Sequence, residues 1–155
     1  MNLEDEVRYL ILGLQREGNR QIAQVLAPAA VTPSQAEAIS LLAEHEVLSL
    51  RDLGALLVCE SGDSPSRLID RLVDRGLVQK EISTLDRRSL SLTLTSKGVD
   101  IYRNVIEPAE VGIRKAIREA LSQEEINQLH ELLMRFAGVT NSSGALNARR
   151  ERQST

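Results

Sequence analysis

Aromatic side chains are scarce in this sequence: they make up 2% of its 155 residues, and tryptophan is missing. We therefore predict an aliphatic core. The single cysteine, Cys59, excludes an internal disulfide framework. No apolar run approaches the roughly 20 residues that span a membrane. The acidic start, MNLEDEV, lacks the basic flank and apolar stretch of a secretory signal. These absences favour a globular protein of the cytoplasm, away from the membrane.

Motifs of catalysis and metal binding are missing as well. The sequence has no phosphate-binding loop, nucleophile elbow or zinc-protease motif. His45, His130 and Cys59 lack the spacing of metal ligands. We therefore predict no catalytic residue, no metal and no cofactor. Cys59 is either a small buried hydrophobic residue or a redox-sensitive thiol, and Glu60 beside it opposes the thiolate that a redox switch requires.

The net charge of −3 is unevenly distributed along the chain. Residues 61–103 include eight Lys or Arg and six Asp or Glu, a balance of +2, and the remainder carries −5. Because local charge governs which face approaches a polyanion, the middle of the chain is the candidate contact region for nucleic acid. The alternative is an ordinary solvated surface.

Apolar residues recur at helical spacing in the first 58 residues. They predict helices over 4–27, 32–46 and 49–58. Thr32 and Gln35 are placed to form a capping box at the start of the second helix. The first half of the chain is therefore predicted to be helical throughout.

A helix followed by two strands is predicted in the middle of the chain. Ser64 suits an N-cap before Pro65, and Gly76 suits the end of a helix over 65–75. A start near Ser61 would put the proline inside the helix, where it loses a hydrogen bond and clashes. Strands are predicted over Leu77 to Ile82 and over Ser89 to Thr95, where leucine alternates with Ser or Thr. The sequence STLDRR joins them.

The C-terminal part is predicted to be helical again. A helix over 96–121 must be kinked or interrupted at Pro108. The sequence SQEE at 122–125 is another capping box, which opens a last helix that ends at Gly138. The residues at 139–155 are polar and unpatterned, so we expect a flexible tail.

This order of elements is that of a winged helix-turn-helix. The predicted fold is mainly α with a small β-hairpin wing, flanked by N- and C-terminal dimerisation helices. It divides into a dimerisation helix at 4–31, a DNA-binding domain at 32–95, C-terminal helices of the dimer body at 96–138 and the tail at 139–155. In such a module the second helix of the helix-turn-helix enters the major groove, and the hairpin reaches the neighbouring backbone or minor groove.

Candidate DNA-binding residues lie on the helix over 65–75 and at the hairpin tip. The helix offers hydroxyl and guanidinium groups at Ser64, Ser66, Arg67 and Arg71. The tip offers Arg87 and Arg88, with Asp86 placed to orient one guanidinium through a charge-assisted bond. The alternatives are a solvated helix face with local ion pairs and an ordinary polar turn.

Two apolar stripes lie near opposite ends of the chain, outside the winged module. These dimer stripes are Val7, Leu10, Ile11 and Leu14, and Leu129, Leu132, Leu133 and Phe136. They form either a monomeric helical core or a dimer interface. The interface fits better, because a symmetric pair of chains would bury both stripes.

The sequence resembles the MarR-type transcriptional regulators. The resemblance rests on RLIDRLVDRGLV at 67–78, on DRRSLSLTLTSKG at 86–98 and on the order of the flanking helices. It implies a homodimer that binds a pseudo-palindromic operator in double-stranded DNA, usually to repress. It also implies a small-molecule effector between dimer body and winged domain. The competing hypothesis is a winged-helix protein-interaction module that has lost DNA binding.

Overall fold

The structure, a computed structural model, describes residues 2–58, 64–82, 90–140 and 142–153. These ranges contain eight α-helices and three short strands. The helices are α1 (Leu3–Leu26), α2 (Pro33–His45), α3 (Leu50–Leu56), α4 (Pro65–Asp74), α5 (Ser96–Ile101), α6 (Glu107–Ala120), α7 (Gln123–Val139) and α8 (Gly144–Gln153). The strands are β1 (Leu48–Ser49), β2 (Val78–Ile82) and β3 (Leu90–Leu94).

Side-chain caps begin two helices where the sequence predicts capping boxes. The Thr32 hydroxyl accepts the backbone N–H of Gln35, and the Gln35 side chain accepts the N–H of Thr32. Ser122 and Glu125 make the same reciprocal pair at the start of α7. Each box satisfies N–H groups that a helix leaves without an internal partner. Both predictions are confirmed.

α4 starts where the sequence predicts and ends one residue earlier than predicted, at Asp74. The Ser64 hydroxyl accepts the N–H of Arg67 at 3.4 Å, and Pro65 is the first helical residue. At the other end Gly76 has φ of 67°, a left-handed conformation that favours glycine. The helix therefore begins after Ser64, which keeps the proline in the first turn, where its missing N–H costs nothing.

The sheet is antiparallel with the order β1-β3-β2. The β2–β3 pair is the predicted hairpin, in which Lys80 lies opposite Leu92 and Ile82 opposite Leu90. β1 was not predicted. Its Leu48 pairs with Leu92 from the other side, and both leucines are buried. The short third strand ties the hairpin to the start of α3.

The core is aliphatic, as the composition predicts, and it lies within the winged module. α2, α3, α4 and the sheet supply most of it, and α1 adds only its last residue. The buried apolar residues are Leu26, Val31, Ala36, Ala38, Ile39, Leu41, Leu42, Leu48, Leu53, Leu56, Leu68, Ile69, Leu72, Leu77, Val78, Leu92 and Ile106. This core gives α4 a fixed support.

The predicted helix over 96–121 is interrupted near Pro108, as expected. α5 passes into a π-helical turn, Tyr102–Ile106, and α6 then begins with Pro108 in its first turn. Proline has no N–H, and its ring clashes with the carbonyl four residues earlier. The wider π turn directly before it accommodates that clash.

The predicted flexible tail is wrong for residues 144–153, which form α8. α8 packs against α3, and its Ala148 contacts the core. The end of α7 is also slightly later than predicted, at Val139 rather than at Gly138. The tail lacks an apolar stripe, so its helix depends on polar contacts with distant residues that periodicity does not detect.

Candidate nucleic-acid interface

α4 has one face in the core and one face in solvent. Three of its apolar side chains are buried, so the opposite side of the helix is exposed. Arg67 and Arg71 are exposed there, as is the capping residue Ser64. These three residues are spaced by three and four positions and lie along one side of the helix. Ser66 is half-buried at the edge of that side.

An ion pair compensates one acidic group on this side of α4. The Asp70 carboxylate pairs with the ammonium of Lys80, which lies on β2. The helix carries two aspartates, Asp70 and Asp74, whose charges oppose the approach of DNA. Lys80 brings a positive charge to the first of them from outside the helix, so the local field is less negative than the sequence of α4 alone suggests.

Arg75 anchors the C-terminal end of α4, a role that the sequence analysis missed. Its guanidinium donates to the carbonyl oxygens of Ala29 at 2.9 Å and Ala30 at 2.7 Å. Ala30 has φ of 53°, an uncommon conformation for a residue other than glycine. Arg75 therefore holds the turn between α1 and α2 and ties α4 to it. No sequence pattern marks this arginine as different from its neighbours.

The start of α5 holds the same end of α4. The Lys97 ammonium donates to the carbonyl oxygen of Arg75 at 2.9 Å, and the Thr95 hydroxyl donates to that of Gly76 at 2.7 Å. A cation near the last carbonyls of a helix complements their partial negative charge. α4 is thus fixed to both neighbouring segments.

Gly98 allows the hairpin and α5 to meet closely. A Cβ atom at this position would lie 2.2 Å from the carbonyl oxygen of Leu77, which accepts the N–H of Thr95 at 3.1 Å. Only glycine fits without displacing backbone. This explains in physical terms why the motif DRRSLSLTLTSKG ends in glycine, and it places the base of the wing directly against α5.

The wing residues Asp86, Arg87 and Arg88 lie outside the described residues, as do Cys59, Glu60 and Ser61. In the part of the chain that the structure does describe, no cluster of three His, Cys, Asp or Glu is placed to bind a metal. No helix in that part has the length and apolar character needed to cross a membrane.

The dimer stripes are largely exposed in the single chain. Leu14 retains 73% of its accessible surface and Phe136 retains 54%, whereas Ile11 is half-buried. α6 and α7 contain no buried residue, and α1 contains only Leu26. A monomeric helical core would have buried these side chains, so the structure gives no support to that alternative.

A cavity of about 300 Å³ lies where α2 and β3 meet α5 and the π turn. Leu42 and Val99 give it apolar walls, and Glu46, Arg103 and Tyr102 give it polar groups. Burial raises the pKa of Tyr102, and nearby glutamates raise it further. The Tyr102 phenol therefore stays protonated at neutral pH and can donate a hydrogen bond.

The sequence is similar to that of known transcriptional regulators. The sequence model described as the MarR family matches residues 31–90. The chain is 34% identical to the HTH-type transcriptional regulator FarR of Neisseria gonorrhoeae over 123 residues, which are 79% of this chain and 82% of FarR. It is 30% identical to the organic hydroperoxide resistance transcriptional regulator of Bacillus subtilis, over 79% of this chain and 84% of that protein. The chain belongs to the MarR family.

Solved structures of MarR proteins share its fold. AbsC, a MarR family regulator from Streptomyces coelicolor, is 25% identical with a TM-score of 0.77, over 91% of this chain and 96% of AbsC. A MarR variant from E. coli in complex with operator DNA has a TM-score of 0.73 at 22% identity, over 88% of this chain and 99% of that chain. The predictions of a winged-helix fold and of a MarR-type, DNA-binding transcriptional regulator are confirmed, and the protein-interaction alternative is disfavoured.

Proposed function

We propose that this MarR family member is a homodimeric repressor that binds a pseudo-palindromic operator and releases it when a small-molecule effector binds. The observation that carries the proposal is the anchored helix α4, whose outward side presents Ser64, Arg67 and Arg71. Because Arg75 and Lys97 fix the other end of α4, the helix loses little conformational entropy when it binds DNA. A regulator of this kind acts in the cytoplasm, where its operator lies.

In this proposal α4 enters the major groove and the wing contacts the adjacent DNA. Arg67 and Arg71 reach base edges or phosphates, and the hydroxyls of Ser64 and Ser66 donate to phosphate oxygens at the helix start. Arg87 and Arg88 at the wing tip bind the minor groove or its phosphates, and Asp86 orients one guanidinium. Each winged domain then binds one operator half-site.

The dimer stripes supply the symmetry of the complex. Val7, Leu10 and Leu14 on α1 and Leu132 and Phe136 on α7 expose apolar surface that a second copy of the chain would bury. A twofold axis between the two copies places the two α4 helices one DNA turn apart, about 34 Å. The operator is therefore expected to be an inverted repeat.

The cavity between α2, β3 and the π turn is where we place the effector. Its apolar walls suit a small hydrophobic molecule, and Arg103 and Tyr102 can pair with one acidic or carbonyl group. The cavity touches both the winged module and the helix that leads into α6. An effector bound there favours dimers whose half-site spacing no longer fits the operator, which is a population shift.

Selection of bound fragments from random duplex DNA tests the proposal. We expect a twofold-symmetric consensus. Arg67→Ala and Arg71→Ala should each cost about 1–3 kcal/mol if they contact bases, and they should relax specificity at the contacted position. Replacing Arg87 and Arg88 with Ala should weaken binding and reduce the salt slope by about 0.9 for each lost phosphate contact. Arg118→Ala in α6, an exposed position that also loses one positive charge, is the matched control for the single variants.

Two results would contradict the proposal. Fragments without a consensus, or equal binding by the wing double variant and the control, would favour the protein-interaction module instead. The effector step is tested separately with Val99→Trp, which fills the cavity. This variant should still bind the operator but should no longer release it on addition of a compound that releases the unmodified protein. If the same concentration of that compound still releases the operator from Val99→Trp, the effector binds outside this cavity.

A further inference from the structure

α8 brings arginine side chains from the C-terminal segment to the winged module. The Arg149 guanidinium forms an ion pair with Glu37 on α2. Its Nε donates to the carbonyl oxygen of Leu56, the last residue of α3, at 2.9 Å. Both partners of the ion pair are largely shielded, with 28% of the Arg149 side chain and 12% of the Glu37 side chain accessible. This contact therefore lies in a partly desolvated site.

Further contacts hold α8 in the same position. Arg152 pairs with Asp52 on α3 at 2.9 Å, and the Gln153 amide donates to Glu44 on α2 at 2.8 Å. α8 thus binds both α2 and α3. The pairs at the periphery are more exposed, so Arg149 at the centre is the contact in which loss of one partner costs most.

Arg149 acts on the C-terminal end of α3. The last carbonyl groups of a helix have no partner within the helix, and Arg149 supplies one to Leu56. The same oxygen of Glu37 that pairs with Arg149 also accepts the backbone N–H of Val58 at 2.8 Å. The end of α3 and the residues directly after it are therefore fixed by one ion pair that joins α2 to α8.

α3 in turn touches the first turn of α4. A Cβ atom at Gly54 would lie 3.3 Å from Cγ of Pro65 and 3.6 Å from its Cβ. The two helices are thus in close contact at the residue that follows the N-cap Ser64. A shift of α3 toward α4 would therefore displace Pro65, and with it the exposed side chains of Ser64 and Arg67.

We propose that Arg149 is a positioning residue for DNA binding, which fixes α3 from α8 and thereby places the first turn of α4 against the DNA. This inference rests on the proposed operator binding. It assigns a function to a segment outside the winged module, and it requires no contact between α8 and DNA. Arg149 acts through Leu56 and Glu37, and its own charge is neutralised by the ion pair with Glu37.

Arg149→Gln is the principal variant, and Arg150→Gln is its matched control. Arg150 is the next residue of α8 and loses the same charge, and its guanidinium contacts His130 on α7. Operator affinity is measured with the full-length chain over a range of salt concentrations, well below the unfolding temperature. We expect Arg149→Gln to weaken binding about five- to tenfold with an unchanged salt slope, and Arg150→Gln to change it less than about twofold.

Hydrogen exchange of the Val58 amide is a second readout, and it needs no DNA. The exchange rate should rise in Arg149→Gln and not in Arg150→Gln, because only the first variant removes the ion pair between Arg149 and Glu37. If Arg149→Gln fails to fold, Arg149→Lys replaces it. Lysine keeps the charge but cannot hold Glu37 and Leu56 together, so we expect about a two- to threefold weakening.

The outcomes separate this inference from the proposed function. If the unmodified protein selects no operator, the proposed function fails. The link from Arg149 to α3 can still be tested in that case, because slower or unchanged exchange of the Val58 amide in Arg149→Gln would overturn it. If the unmodified protein binds an operator, three results overturn the inference. These are equal affinity of Arg149→Gln and the unmodified protein, equal losses in both glutamine variants, and a salt slope reduced by about 0.9, which would mean direct phosphate contact.

Discussion

Replacing Gly98 with Ala should destabilise the protein even though it adds a good helix former to α5. In an exposed helix interior the same change gains about 1 kcal/mol. Here the new Cβ would lie 2.2 Å from the carbonyl oxygen of Leu77, inside the 3.0 Å limit that real Cβ atoms respect. Leu77 is fully buried and its oxygen accepts a hydrogen bond from Thr95, so its backbone cannot move away without loss of packing or of that bond. We expect a net loss of about 2–4 kcal/mol, the upper range for overpacking.

The matched control is Gly112→Ala in α6, where nothing lies within 4 Å of the new Cβ. It should leave stability unchanged or raise it by up to about 1 kcal/mol. The free energies of unfolding of both variants are measured by urea titration at one fixed protein concentration, because the stability of a dimer depends on concentration. A Gly98→Ala variant as stable as the control would refute the close approach and with it our explanation of the motif.

Three further predictions address the dimer, the cap of α4 and the docking of α8. Phe136→Glu places a charge in a dimer stripe and should shift the protein toward monomer in sedimentation at concentrations where the unmodified chain is dimeric; an unchanged dimer would remove α7 from the interface. Ser64→Ala should lower the free energy of unfolding by about 1 kcal/mol in urea titrations, since the N-cap is lost, and a neutral effect would mean that α4 starts elsewhere. Burial raises the pKa of Asp52, but bonds with Ser49 and Arg152 lower it more, to a net value below the ordinary 3.8. Its contribution to stability is therefore complete at a pH well above 3.8 and is lost as pH falls through the lower folded-state pKa. Asp52→Asn should accordingly lose less stability than the unmodified chain when the pH is lowered from neutral to about 3.

Helix boundaries are predictable here because their causes are local. The box of Thr32 and Gln35, the cap at Ser64 and the glycine at position 76 act on backbone groups within a few residues. The proline argument decided between two starts for α4 without any tertiary information. The alternation of leucine with Ser and Thr in β3 is equally local, because a strand shows its two faces directly in the sequence.

What the sequence does not reveal depends on partners far along the chain. β1 has only two residues, so it has no period, and it exists because Leu48 meets Leu92. Arg75 looks like any surface arginine until α1 and α2 bring two carbonyl groups to it.

The same holds for α8. Its residues are polar and lack an apolar stripe, and charge pairing with Glu37 and Asp52 holds it in place. The partners in these ion pairs are about one hundred residues apart in the sequence, so an analysis of local sequence patterns cannot detect them.

The π turn at Tyr102–Ile106 fits one more residue into a turn than an α-helix does. Each residue of an α-helix rotates the chain by about 100°, so everything after the turn is rotated by that angle relative to an uninterrupted helix. Side chains before the turn can thus face the winged core while those of α6 point elsewhere. A single-residue deletion here would swing α6 and α7 around the helix axis. In the proposed dimer, the orientation of each winged domain relative to α6 and α7 would therefore depend, in part, on one amino acid of chain length.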